Sequence, residues 1–120
     1  MSSNRIRLMV GLDIHDGKFL EFQKIVEQMI TATDTEPGTL GYIFFLSADQ
    51  KHCRLMETYK DVPAITAHFK GTAVQQFVPQ LLKVASPSVV EFYGDPGPEL
   101  TAMAAQLKPA VFRTWQGIDR

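Results

Sequence analysis

The residues best suited to chemistry are a carboxyl, a phenol and an imidazole close together in the chain: Glu57, Tyr59 and His68. Between them they can donate, accept and relay protons, and an imidazole titrates near neutral pH. A second phenol, Tyr42, stands upstream. The polar tips of Tyr42 and Tyr59 are expected to meet His68 in a cavity with mostly apolar walls, a common make-up for a small-molecule site. Blander readings stand beside this one. His68 serves equally as a core histidine bonded to backbone, and Glu57 as a cross-strand partner of Arg54 or Arg7. His15 precedes a helix cap and reads either as a ligand contact or as a solvated loop residue, and His52 flanks a turn.

Other chemistries lack their motifs. The three histidines show neither His-x-His nor His-x-x-x-His spacing, and one cysteine, Cys53, makes no thiolate site. No glycine-rich phosphate cradle, dinucleotide fingerprint or Gly-x-Ser-x-Gly elbow is present. The expectation is therefore a site without metal or cofactor. A formal net charge of -1 leaves no basic footprint for nucleic acid. No apolar run approaches the roughly 20 residues of a membrane span. The opening MSSNRIRLMV lacks the apolar centre of a signal peptide, and a lone cysteine suits a reducing compartment, so the chain reads as cytoplasmic.

The candidate residues must be positioned by the stretch Gly38 to Phe69, which reads as strand, turn, strand, helix. Tyr42 to Leu46 is apolar on both parities, as in a strand covered on two faces. Ser47 to Lys51 suits a hairpin. On the return strand Cys53, Leu55, Glu57 and Tyr59 share one face, because side chains alternate. Asp61 is the expected cap of a short helix carrying Pro63 in its first turn and His68 near its end. Before this stretch, Arg5 to Asp13 reads as a strand with Ile6, Leu8, Val10 and Leu12 on one face. Asp16 is the expected cap of a helix from Gly17 to about Thr33 with an apolar stripe through Phe22, Val26 and Met29. After it, Val74 to Val84 is a second helical stripe in which Pro79 marks either a kink or a start. Val89 to Tyr93 is a fourth strand, Leu100 to Leu107 a short third helix, and 109–115 a last extended segment.

The run Glu57-x-Tyr59-x-Asp61-x-x-Ala64-x-x-x-His68, after a glycine-rich start and a hairpin, resembles the antibiotic biosynthesis monooxygenase superfamily over residues 5 to 93 or so. The resemblance implies an α+β, ferredoxin-like fold: a four-stranded antiparallel sheet with both helices on one face. Two such sheets would pack into a dimeric α+β barrel. One domain would span 1–120, with a core over about 5–94 and a C-terminal extension, helix plus extended tail, over 95–120. It also implies a cofactor-independent monooxygenase acting on a quinol or polyketide-like aromatic with O2. Oxygen chemistry ordinarily borrows electrons from a metal or flavin. With neither, a deprotonated, electron-rich substrate must supply them, and the protein needs a base, an oxyanion donor and dry walls. His68, Tyr59 and Glu57 are the catalytic candidates; Tyr42, Phe44, Phe69, Trp115 and His15 are the substrate-binding ones. Haem-degrading relatives use an Asn, Trp and His set that is not matched, since the only asparagine is Asn4. A non-oxidative isomerase or a binding or stress-associated protein of the same fold is the alternative. A third reading has no chemistry, only a structural dimer whose pocket is filled by its own side chains. A sheet with both helices on one face leaves the other bare, and a bare apolar face calls for a homodimer, with the tail reaching across to the partner.

Overall fold

The computed structural model describes residues 4–120. The reading of the first ten residues as carrying no leader rests partly on 1–3, which lie outside the described residues. The elements are β1 (Ile6–Ile14), α1 (Phe19–Thr33), β2 (Thr39–Leu46), β3 (His52–Tyr59), α2 (Val62–Lys70), a π-helical turn (Ala73–Phe77), α3 (Val78–Leu81), β4 (Ala85–Tyr93), α4 (Gly97–Met103), a 3-10 turn (Ala105–Leu107) and β5 (Ala110–Phe112). The sheet order is β2-β3-β1-β4-β5. Its first four strands pair antiparallel in the ferredoxin-like arrangement, and the tail adds β5 parallel to β4.

Alternation decides which side chains meet the helices. Ile6, Leu8 and Leu12 on β1, Cys53, Leu55, Glu57 and Tyr59 on β3, and Val90 and Phe92 on β4 are all buried. The opposite parity carries Ile43, Phe45, Met56 and Tyr93, each at least 40% exposed. Two apolar clusters lie under the helices. One gathers Tyr59, Ile65, Phe69, Phe92 and Leu100; the other gathers Phe22, Met29, Cys53, Phe77 and Leu81.

Several boundaries differ from the sequence reading, each for a local reason. Helix α1 starts at Phe19, not Gly17, and Lys18 rather than Asp16 takes the cap position without a side-chain bond. Gly17 has φ +75, outside the helical region, so the helix cannot include it. Pro79 stands in the first turn of α3, directly after the π-helical turn, so its missing amide falls at a boundary. Strand β4 begins at Ala85 and runs through Pro87. Between Gly11 and Leu12 its register against β1 shifts, and the Ser88 hydroxyl lies over Gly11, 2.8 Å from where a Cβ would stand. Pro87 is tolerated because β5 pairs only with Glu91 to Tyr93, leaving that part of β4 an edge. The tail docks on its own chain: Gly94 N–H donates to Phe112 O at 2.8 Å, and Leu100 and Ala104 enter the first cluster.

Candidate functional site

Register and helical spacing bring the site together. Glu57 sits mid-sheet with Leu8 opposite it on β1 and Tyr42 opposite it on β2, all on the helix side. Arg54 and Arg7 have the other parity, so Glu57 pairs with neither. On α2, Ile65, His68 and Phe69 form the buried face at steps of three and four. The cap that starts this helix is as read: Asp61 accepts from Ala64 N–H at 2.9 Å. It sets the helical phase that turns His68 inward.

The result is a buried chain of proton-carrying groups. Tyr59 donates to Glu57 Oε1 in a short hydrogen bond. Glu57 Oε1 lies 3.6 Å from His68 Nε2, close but beyond a direct hydrogen bond. His68 Nδ1 lies 2.8 Å from Glu36 Oε1, which also accepts from the Thr39 hydroxyl at 2.8 Å. A carboxylate only accepts, so Nδ1 carries the hydrogen and Nε2 points its lone pair toward Glu57. The rings of Tyr42 and Tyr59 flank the imidazole at 5.4 and 5.3 Å between centroids.

Burial sets the charge states. Glu57 is pushed up to about 8, chiefly because burial penalises the carboxylate; the Tyr59 bond works against this and Glu36 adds to it. His68 is lowered by burial, with Glu36 opposing. Tyr59 and Tyr42 are both raised, first by burial and then by Glu57. Near neutral pH the site therefore holds a protonated carboxyl beside a neutral imidazole: an acid and a base, with no net charge between them. Thr33 is buried beside this region and shares a surface hollow with Tyr42 and Glu36.

At the seam of the two apolar clusters lies a cavity of about 90 Å³. Glu57, His68 and Tyr42 supply its polar lining, and Leu8, Met29, Phe69 and Leu107 are among its apolar walls. It is smaller than the roughly 150 Å³ cavity that takes a benzene ring. Tyr59 does not line it; fully buried, it acts through Glu57. Phe44 packs edge-on against Tyr42 at 5.3 Å, one layer out. His15 and Trp115 are not brought to the cavity. His15 is exposed and bonded to Ser86 at the far end of β1, and Trp115 is 86% exposed on the tail. The reason is placement: His15 follows the last residue of a strand, and the tail's apolar anchors are Leu100 and Ala104, upstream of the tryptophan. Glu36, in the connection ahead of β2, is not among the residues that the sequence singles out. An acid ahead of Pro-Gly carries no mark of a histidine partner 32 residues on; only the packing of α2 on β2 makes one. Among the described residues, no three His, Cys, Asp or Glu side chains are grouped as a metal ligand set.

The fold and cavity define a ferredoxin-like α+β protein with a buried acid–base site between sheet and helices. The chain belongs to the antibiotic biosynthesis monooxygenase family, whose sequence model matches residues 5–80. Among solved structures it is similar to MupZ from Pseudomonas fluorescens, at 22% identity over 98% of this chain and 96% of that one, with a TM-score of 0.83. It is also similar to SnoaB from Streptomyces nogalater, described as a cofactor-independent oxygenase, at 10% identity over 80% and 97% of the two chains, TM-score 0.69. A conserved protein from Methanosarcina mazei Go1 matches at 18% identity over 74% and 90%, TM-score 0.69. At these identities the likeness is one of fold. No curated protein sequence matches the chain. Among the described residues, no helix is long and apolar enough to cross a membrane.

Proposed function

We propose that the chain is a cofactor-independent monooxygenase acting on a hydroxylated, quinol-like aromatic. The observation that carries the reading is the apolar cavity whose polar groups are a neutral imidazole held by a carboxylate and a protonated carboxyl held by a phenol. His68 Nε2 takes a proton from the substrate hydroxyl, and Glu36 holds the imidazolium that forms. The phenolate gives up electrons to O2, and a C–O bond forms at a ring carbon bearing hydrogen. Loss of that hydrogen as a proton, with O–O cleavage assisted by the Glu57 proton, leaves a quinone carbonyl and one water. One oxygen atom ends in the product and one in water, and all the electrons come from the substrate. Tyr42, on the polar side of the same cavity, donates to the phenolate oxygen. Phe69 and the aliphatic walls keep water out.

Oxygen uptake by metal-free protein with a panel of single-ring hydroquinones and phenols tests this. Uptake is expected at one O2 per quinone formed, falling about a hundredfold or more in His68→Ala. No uptake above background across the panel would overturn the oxidative reading.

A second reading is favoured by one observation: a protonated Glu57 and a basic Nε2 only 3.6 Å apart are also what a proton-shuffling isomerase needs, with no oxygen. Turnover that persists unchanged under anaerobic conditions would select it.

The working unit in this proposal is a homodimer. Ile43 and Phe45 (both 54% exposed) and Met56 (48%) lie on the sheet face that no helix covers. A two-fold axis covers that patch with itself.

A further inference from the structure

The cavity beside Glu57 and His68 does not stand alone. Its outer rim is made by Leu82, Pro87 and Leu107, and Leu82 and Pro87 are exposed. Directly outside lies a second hollow of about 480 Å³, between β4 and the turn that leads into β5. Pro87 and Leu107 line both hollows, so these two side chains stand between them like the posts of a door.

The outer hollow differs in character from the inner one. Ser88, Glu91, Gln106 and Lys108 contribute to its walls. Its floor is β4 ahead of the residues that β5 pairs, so among the described residues the strand's outer edge there has no strand partner and its peptide groups face the hollow. Lys108, on the facing wall, holds the left-handed conformation at φ 50, an unfavourable one for a lysine, kept by the 3-10 turn before it. All of this wall belongs to residues 81–120, beyond the stretch matched by the family.

We propose that the substrate is elongated. Its reactive head, a single ring, enters the inner cavity edge-first against Glu57 and His68. A chain bearing amide or hydroxyl groups leaves between Pro87 and Leu107 and lies in the outer hollow along the free edge of β4. The chemistry of the two spaces sets this division. The inner cavity, below the roughly 150 Å³ that encloses a benzene ring, takes the hydroxylated edge of one ring and no more, and has its polar groups only at Glu57, His68 and Tyr42. The outer one is about five times larger and offers peptide and side-chain partners to a polar chain. Leu107 is thus the residue that sets substrate length. The inference rests on the inner cavity being the reaction site.

Titration calorimetry with the full chain tests it without any need for turnover. The ligands are phenol, 4-propylphenol and a phenol whose para chain carries a secondary amide three methylenes out. Affinity is expected to rise about tenfold or more from phenol to the amide-bearing ligand. Gln106→Trp, on the exposed wall of the outer hollow only, should remove that gain while leaving the phenol affinity within about twofold. Ser88→Trp, on the exposed β4 side of the same hollow, serves the same purpose if Gln106→Trp does not fold. A chain that adds nothing or weakens binding, or a gain that survives both substitutions, overturns the elongated-substrate inference alone. No binding of phenol itself to the wild-type protein overturns the reading of the inner cavity, and this inference with it.

Discussion

Glu57 is a buried acid whose proton is held by its surroundings, and that has a measurable cost. Its pKa is 4.5 in an exposed chain and about 8 in the fold, so between those values the folded state binds more protons than the unfolded one. Stability from this group is complete below pH 4.5 and is lost as pH rises through about 8. His68 acts in the opposite sense: its lowered pKa makes stability fall as pH drops below the 6.5 of a free histidine. Comparing wild type with Glu57→Gln cancels the His68 contribution to first order. The thermal midpoint of the wild type should fall relative to the variant as pH is raised from about 5 to about 9, with most of the change before pH 8. A constant offset across that range would mean that the carboxyl is not kept protonated.

At the scale of elements, the site depends on how closely the start of β2 approaches α2. Gly38 is buried, and a Cβ there would lie 2.6 Å from the Cβ of Ala64. That contact seats α2 so that His68 reaches Glu36, two residues before the glycine. Gly38→Ala must push the helix or the loop away. A loss of about 1–3 kcal/mol is expected in urea unfolding. The His68 ring resonances should move toward those of a freely titrating histidine as the Glu36 bond opens. An unchanged stability would show that the loop yields freely. The short helix α4 has the complementary role. Leu100 is fully buried against Tyr59, Phe69 and Phe92, so Leu100→Ala should cost about 2–5 kcal/mol and act on the layer directly behind Glu57.

For the whole molecule the open question of surface is the uncovered sheet face. The first-cluster anchoring of the tail and the contacts of Arg7 with Asp119 at 2.8 Å place residues 95–120 on their own sheet, so the tail needs no partner to be ordered. The exposed Ile43, Phe45 and Met56 remain, and they are the basis of the proposed dimer. Phe45→Glu places a charge at the centre of that patch without touching the buried core. Sedimentation should show the wild type as a dimer at micromolar concentration and the variant shifted to monomer, with its far-ultraviolet dichroism unchanged. A wild-type monomer would refute the face-to-face arrangement.

Much of this architecture is written in local pattern. Two-residue alternation on β1 and β3 put Glu57 and Tyr59 on one face. Three- and four-residue steps on α2 put His68 with Ile65 and Phe69, and the Asp61 cap and the Ser47 to Lys51 hairpin follow from short-range side-chain bonding. These are properties of neighbours in the chain, and short-range sterics and hydrogen bonds suffice to express them. What they could not express is which faces meet. Glu36 became the partner of His68 because α2 packs over the loop ahead of β2, and Trp115 was left outside because Leu100 and Ala104 anchor the tail first. The size of the cavity and its door at Pro87 and Leu107 follow from the gap left where two apolar clusters meet. Such a gap depends on the summed volumes and positions of side chains from every layer, and no stretch of sequence carries that sum.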